Sequence, residues 1–568
     1  MCNRTDCGEK DSPCGRGGVG TARPLTGRGL PMSSKAEMSR RMFVKAMATV
    51  TASSAFASMV GCGSKRASDA SGSGSGSGDF TITFAQGADP RGLDPAYIDD
   101  GESAKVMVQI YENLLKYKDK NCEVEPGLAK SYDVSDDGLT YTFKLRKGIK
   151  FQDGADFNAA AVKKSIGRQL EPDRTDDMPY AAFTFGSKAD GTGIESIETP
   201  DDYTVVIKLR AVSSAFLANL AMCMASPIVS PKAIEKGKAN EHPVGTGPYS
   251  FVSWTKNSDI KLKRFDGYWD KEHAGKAKNI VFRFIAESST RVTALANGEA
   301  DIIDGVDEAD VDQVAKNGDV VDKFDGMNIN YMAFNTQSEK FKTPEARKAF
   351  AKAIDVEEVV KSLYKKYATY ANSIMPLWMA PYDDDVKQTA YDPDAAKKEL
   401  ADLGITEVKC ITYSNPRPYN GKGGTALAEA FQGYLSKVGV KMTIDQYDWT
   451  SYKTTVQAGN YDVCFYGWNG DNGDPDNFMN LLAADDPTMN VARWSNDEYK
   501  KLIAKGLETP NGTARDDVYH ECEKMAADNQ VWIPVSHSIN ILCHKKGVKG
   551  YVFHPTAVTF LRNCTKSA

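Results

Sequence analysis

Residues 467–480, GWNGDNGDPDNFMN, place three carboxylates (Asp471, Asp474, Asp476), three glycines and four asparagines within fourteen positions. Carboxylates in such a setting accept hydrogen bonds and attract a cation, and glycines let backbone approach a bound group closely. A calcium loop does not fit, because the D-x-[DN]-x-[DN]-G order and the glutamate at the twelfth position are missing. A second segment, Ser414-Asn415-Pro416-Arg417-Pro418-Tyr419, fixes one guanidinium between two prolines and next to a tyrosine. Arg417 offers a planar fork of donors suited to a carboxylate. The plainer reading makes Asp474-Pro475-Asp476 turn residues of a solvated loop, and Arg417 a surface arginine.

The surrounding pattern says which elements hold these loops. Val408–Tyr413 reads as a strand; the helix after it carries Leu427, Phe431, Leu435 and Val438 and stops at Gly439; Val440–Ile444 is the next strand. Strand, helix and strand in close succession imply a partly parallel α/β sheet. Tyr461–Trp468 is a nearly continuous apolar run, as expected of a strand covered on both faces. Both loops then begin where strands end, and in open α/β sheets ligands sit beyond the carboxyl ends of strands. Thr343-Pro344 and Asp355 with Glu358 mark two helix starts. Nearer the amino terminus, Leu139, Tyr141, Phe143 and Leu145 alternate with polar residues, and Val205, Ile207 and Leu209 repeat the pattern. Residues 124–240 therefore read as an antiparallel α+β unit.

At 568 residues the chain is too long for one core. Its net charge is −6, yet the first 61 residues hold 9 Lys+Arg against 4 Asp+Glu, so the remainder is more acidic than the whole. That sign excludes a nucleic-acid partner. Arg40-Arg41 followed by the apolar run Ala46–Val60 reads as a twin-arginine signal, too short to span a bilayer about 30 Å thick. Met59-Val60-Gly61-Cys62 is similar to a bacterial lipobox, which makes Cys62 the lipidated residue and Gly63–Gly78 a Gly/Ser tether reaching about 20 to 24 Å. Met32 or Met38 is the better initiator. The G-x-G-x-x-G at 15–20 has no strand before it and no helix after it, so no dinucleotide site follows.

The cysteines of the body, Cys122, Cys223, Cys410, Cys464, Cys522, Cys543 and Cys564, include no C-x-x-C pair and are expected as small core residues, with Cys543–Cys564 an available bridge. The six histidines form no H-E-x-x-H, and no G-x-S-x-G elbow is present. A peptidase is therefore the weaker class, and neither catalytic residues, metal nor cofactor are expected.

Several motifs in order carry a family resemblance: LAKSY at 128–132, DGLTYTFKLRKG at 137–148, FQDG at 151–154, PVGTGPY at 243–249, Tyr268-Trp269, ALANGEAD at 294–301 and Phe334-Asn335-Thr336. Together they resemble the family 5 extracellular solute-binding proteins, receptors of peptide and nickel ABC importers. The resemblance, from about Phe80 to the C-terminus, implies an α/β, two-lobed periplasmic-binding-protein-like fold (class II) with an additional α+β subdomain. Lobe I would comprise 79–123, 241–330 and 534–568, the subdomain 124–240 and lobe II 331–533, behind a leader (1–61) and tether (62–78). GWNGDNGDPDNF and RPYN resemble the dipeptide-binding branch. By that likeness Asp471 meets a peptide ammonium, Arg417 the terminal carboxylate, and Tyr419 and the backbone near Gly470 the rest. Trp468 would cover an apolar ligand face, and Gly101 would approach from the other lobe. Asp99 stands where the branch usually has a hydroxylic residue, and the cysteine pair some members carry after the DNF loop is absent. An extended dipeptide presents opposite charges about 7 Å apart, which one acid and one arginine at a common edge would match. Alternatives on the same fold are an oligopeptide, haem or a nickel chelate. The expected partners are a short peptide, ABC permease subunits and, through the lipid anchor, a membrane; a monomer is expected.

Overall fold

The computed structural model describes residues 78–567. The twin-arginine pair Arg40-Arg41, Cys62 and the tether up to residue 77 lie outside the described residues. Twelve strands form one continuous sheet across the body. One half runs Lys441–Tyr447, Glu407–Tyr413, Val463–Asn469, Asn328–Phe334; the other runs Ile302–Asp304, Thr81–Gln86, Asn279–Phe284, Asp259–Arg264, Tyr249–Thr255. The thirteen-residue strand Trp532–His544 joins them. Its first part pairs with Asn328–Phe334 and its last part with Val320–Asp325 and Ile302–Asp304. Each half carries its own buried cluster, so the molecule is two-lobed.

The lobe that holds both candidate loops follows the sequence pattern closely. Glu407–Tyr413 is parallel to both Lys441–Tyr447 and Val463–Asn469, and the helix Gly423–Lys437 packs Leu427, Phe431 and Leu435 into the core. Phe431 meets Phe465 edge to face at 5.0 Å. The Thr343 hydroxyl accepts from the Ala346 N–H, and the Asp355 carboxylate from the Glu358 N–H, at the two expected helix starts. Tyr331 stacks on Trp532 at 4.4 Å, fastening two central strands; such pairs contribute about 0.5–1.5 kcal/mol beyond area burial.

Residues 129–209 supply a separate four-stranded antiparallel sheet in which Phe143 sits opposite Val205, packed on the helix Ala159–Gly167 around its own core. The Asp94 carboxylate accepts two bonds from Arg168 at 2.6 and 2.8 Å, tying this subdomain to lobe I. The chain passes between the lobes at Gly326-Met327 and again inside Trp532–His544. Positions 330/331 and 533/534, expected as boundaries, fall within the strands Asn328–Phe334 and Trp532–His544. Cys543 and Cys564 are both free and lie in different core clusters, so the available bridge is not made. Among the described residues no helix is long and apolar enough to cross a membrane.

Candidate functional site

Because Glu407–Tyr413 and Val463–Asn469 are adjacent and parallel, the Arg417 loop and the acidic loop leave the same sheet edge. The acidic loop is anchored from below. Asp474 forms a two-bond ion pair with Arg515 at 2.8 Å in both bonds, with side chains 4% and 3% exposed. Asp476 is buried beside it and accepts from Tyr519 and Asn480; burial, then the neighbouring Asp474 charge, pushes its carboxyl up to about 7. The solvated reading of these two acids is corrected: they hold the loop, and Arg515 and Tyr519 lie on the helix Thr513–Asp528, far along the chain.

Asp471 differs. Its Oδ1 accepts from the Tyr180 hydroxyl at 2.7 Å and its Oδ2 from Asn477 Nδ2 at 3.2 Å. Burial raises its carboxyl to about 6 against the pull of those two bonds. Among the described residues it has no ion-pair partner. A half-buried carboxylate without a cation is costly, and the cost falls when a cation arrives from outside.

Arg417 is half-buried, with its guanidinium 4.0 Å above the Trp449 ring. Its Nε is buried without an acceptor, and among the described residues it too has no ion-pair partner. Tyr419 is 4% exposed, and its hydroxyl is buried with no hydrogen-bond partner. The loop thus collects a guanidinium and a phenol with unused donors.

The other expected residues divide. Trp468 is partly exposed, its indole N–H donating to Asn477 Oδ1 at 3.1 Å, so it braces the Asn that holds Asp471. The Gly470 N–H is committed to the Met327 carbonyl at 2.7 Å. Of its own backbone, the carbonyl is left free of this bond. Gly101 is exposed at the first position of the helix Gly101–Ile110, with open space where a side chain would stand. Asp99 pairs with Arg91, and its charge reaches Tyr180.

Sequence reasoning missed Tyr180, Asn477 and Trp449. Trp449 follows the strand Lys441–Tyr447 at the same edge, so the strand-end rule applied to all three parallel strands would have found it. Tyr180 comes from the subdomain and carries no local signal.

The subdomain reaches across to the lobe that holds the acidic loop. Asn472 Nδ2 donates to Asn219 Oδ1 at 2.7 Å, the Ser214 N–H to the Leu507 carbonyl at 2.8 Å, and Tyr180 to Asp471. Gly473 sits against Cys122: a Cβ there would stand 2.1 Å from the cysteine Cβ.

Comparison with known proteins follows this geometry. Residues 123–490 match the model of bacterial extracellular solute-binding proteins, family 5 middle. The chain is 31% identical to heme-binding protein A of Haemophilus influenzae, over 84% of this chain and 90% of that protein. It is also 31% identical to the dipeptide-binding protein of Escherichia coli, over 84% and 92%. A solved periplasmic binding protein of Helicobacter pylori, associated with an ABC transporter and in complex with the peptide STSA, superposes with a TM-score of 0.72 at 30% identity, over 86% of this chain and 98% of that one.

Proposed function

The chain belongs to family 5 of the bacterial extracellular solute-binding proteins, and we propose that it is a lipid-anchored receptor that captures free-ended dipeptides outside the cytoplasm and delivers them to an ABC permease. The single observation that carries this reading is the pair of uncompensated charges at one sheet edge: Asp471 half-buried without a cation, Arg417 without an anion. A zwitterion compensates both in one step. Its ammonium meets Asp471, whose competing donors are the neutral Tyr180 and Asn477. Its carboxylate meets Arg417 and the Tyr419 hydroxyl. Each charge-assisted bond contributes roughly 1.5–3 kcal/mol. The partly exposed Trp468 offers the peptide side chains an apolar face. Cys62, lipidated after removal of the twin-arginine leader, keeps the body at the membrane, and it works as a monomer.

Calorimetry with Ala-Phe, its N-acetylated form and its C-terminal amide tests both anchors. Asp471→Ala and Arg417→Ala are each expected to weaken Ala-Phe by about tenfold or more, at least about 1.4 kcal/mol, with folding retained. Masking one end of the peptide removes the same increment in the wild type and nothing further in the matching variant. Equal binding of masked and free peptides, or of the tetrapeptide and the dipeptide, overturns the free-ended dipeptide reading.

A further inference from the structure

Between lobe I and the four-stranded subdomain lies a cavity of about 270 Å³. It is not part of the peptide site: Arg417, Tyr419, Trp449 and Asp471 are absent from its wall. Native interiors leave few voids larger than one water, and this one would hold roughly nine at about 30 Å³ each. Its wall is largely apolar and aromatic, with Met107, Tyr117, Pro248, Trp269, Val558 and Phe560 among the lining residues.

The formal charges of the wall are equal, Lys116, Arg146 and Arg562 against Glu112, Asp119 and Asp270, but their pairing is not. Glu112 is occupied, accepting from Thr246 Oγ1 and the Tyr268 hydroxyl at 2.7 Å and from Trp269 Nε1 at 2.9 Å. Asp270 is bonded to His273 at 2.8 Å, Asp119 to Arg562 at 3.3 Å, and Lys116 to Glu125 at 3.0 Å. Both ring nitrogens of His554 are used, by the Asn121 carbonyl and Thr556 Oγ1. What remains is Arg146. Its Nε donates to the Gly127 carbonyl at 2.8 Å and its guanidinium lies 5.0 Å from the Trp269 ring centre, but among the described residues it has no carboxylate partner. Arg562 adds a buried Nε with no acceptor. Every acid in the wall has a partner, whereas the half-buried Arg146 faces the cavity with no acid, so the group it can still take is an anion; the aromatic wall asks that its body be apolar.

The geometry points to a second ligand site here, for a small carboxylate with an apolar, preferably aromatic, body, held by Arg146 beside Trp269 with Arg562 as a further donor. Its occupancy is independent of the dipeptide reading. Its wall takes residues from helix Gly101–Ile110, from the subdomain and from the C-terminal segment, so a bound anion would fasten the subdomain to lobe I.

Titration calorimetry and thermal shift on the purified full chain, with phenylacetate, indole-3-acetate and hexanoate as probes, test the site. Phenylacetamide and phenethylamine serve as neutral and cationic controls. At least one acid is expected to bind and raise Tm, with the neutral and cationic controls about tenfold weaker or more. Arg146→Gln is expected to lose the acid by a similar factor while Ala-Phe titrates as in the wild type. Ala221→Trp, which fills the cavity from its wall, abolishes it. Arg417→Ala keeps the response, which separates this site from the peptide carboxylate anchor. No response to any acid in the wild type, an undiminished response in Arg146→Gln, or loss in Arg417→Ala instead each overturns the proposal and leaves the cavity to solvent.

Discussion

Asp471 and Asp474 sit three residues apart, and their environments give them opposite work. Asp474 has its guanidinium; Asp471 has only neutral donors and burial. The sign for Asp471 follows from its raised value of about 6. The ligand-free fold favours the protonated acid, so its contribution to stability is fully present below the unfolded value of about 3.9 and is lost as pH rises through about 6. A peptide ammonium demands the carboxylate, so binding below about pH 6 must expel a proton. Dipeptide affinity is therefore expected to be greatest near pH 7, to weaken about twofold by pH 8 as the peptide's own α-amino group loses its proton, and to fall toward tenfold per unit below about pH 6, measured by calorimetry in two buffers of different ionisation enthalpy. Asp476, raised to about 7 beside Asp474 and Tyr519, titrates nearby; the Asp476→Asn variant identifies its share, and an acid limb that persists in Asp471→Asn would assign the proton elsewhere. Stability separates the two acids as well. Asp474→Ala leaves Arg515 buried and unpaired and is expected to cost about 3–5 kcal/mol in denaturant unfolding, whereas Asp471→Asn at pH 7 is neutral or stabilising. The sequence shows both acids in one loop but not this division, because the deciding partner, Arg515, is 41 residues further on.

The loops and helices around the site were legible where local rules operate. Apolar runs became central strands, and Thr343 and Asp355 cap their helices. The strand-end rule put Arg417 and Asp471 at one edge, since parallel strands bring their carboxyl ends together. What local pattern does not carry is the meeting of two elements from different lobes: Tyr180, Asn219 and Cys122 against 471–473. Gly473 has φ +67°, and a Cβ there would meet Cys122. Asparagine tolerates that φ better than other residues with a Cβ. Gly473→Asn is thus expected to keep the fold and Tm of the ligand-free protein while obstructing lobe contact, weakening Ala-Phe by about tenfold or more. Wild-type affinity in this variant would mean that the contact between Gly473 and Cys122 plays no part in capture.

Two lobes share one sheet, so any opening must bend the strands that cross between them. Those crossings lie at Gly326-Met327 and at Ser536–Ser538, and they are laced together. Asn328 Nδ2 donates to the Ser538 carbonyl at 3.1 Å, and the Ser538 N–H returns to Asn328 Oδ1 at 2.7 Å. Gly326 is pressed there as well: a Cβ would fall 2.4 Å from the same carbonyl. Both ligand loops are fastened to this point, the acidic loop by Gly470 N–H to the Met327 carbonyl and the arginine loop by the Ser538 hydroxyl to the Pro418 carbonyl at 2.8 Å. A ligand that draws Asp471 toward Tyr180 and its subdomain therefore pulls on the crossing itself, which makes closure a property of the whole body. Small-angle scattering is expected to show the radius of gyration falling when Ala-Phe is added to the wild type, and no fall in Gly473→Asn. Asn328→Ala removes the reciprocal bonds at the crossing. It is expected to lower stability by about 1–3 kcal/mol and to enlarge the ligand-free radius of gyration, while saturating peptide restores the compact value. Scattering curves that do not change with peptide in any of the three proteins would mean that the lobes are already held together by Tyr180, Asn472 and Ser214 alone, and that capture proceeds without closure.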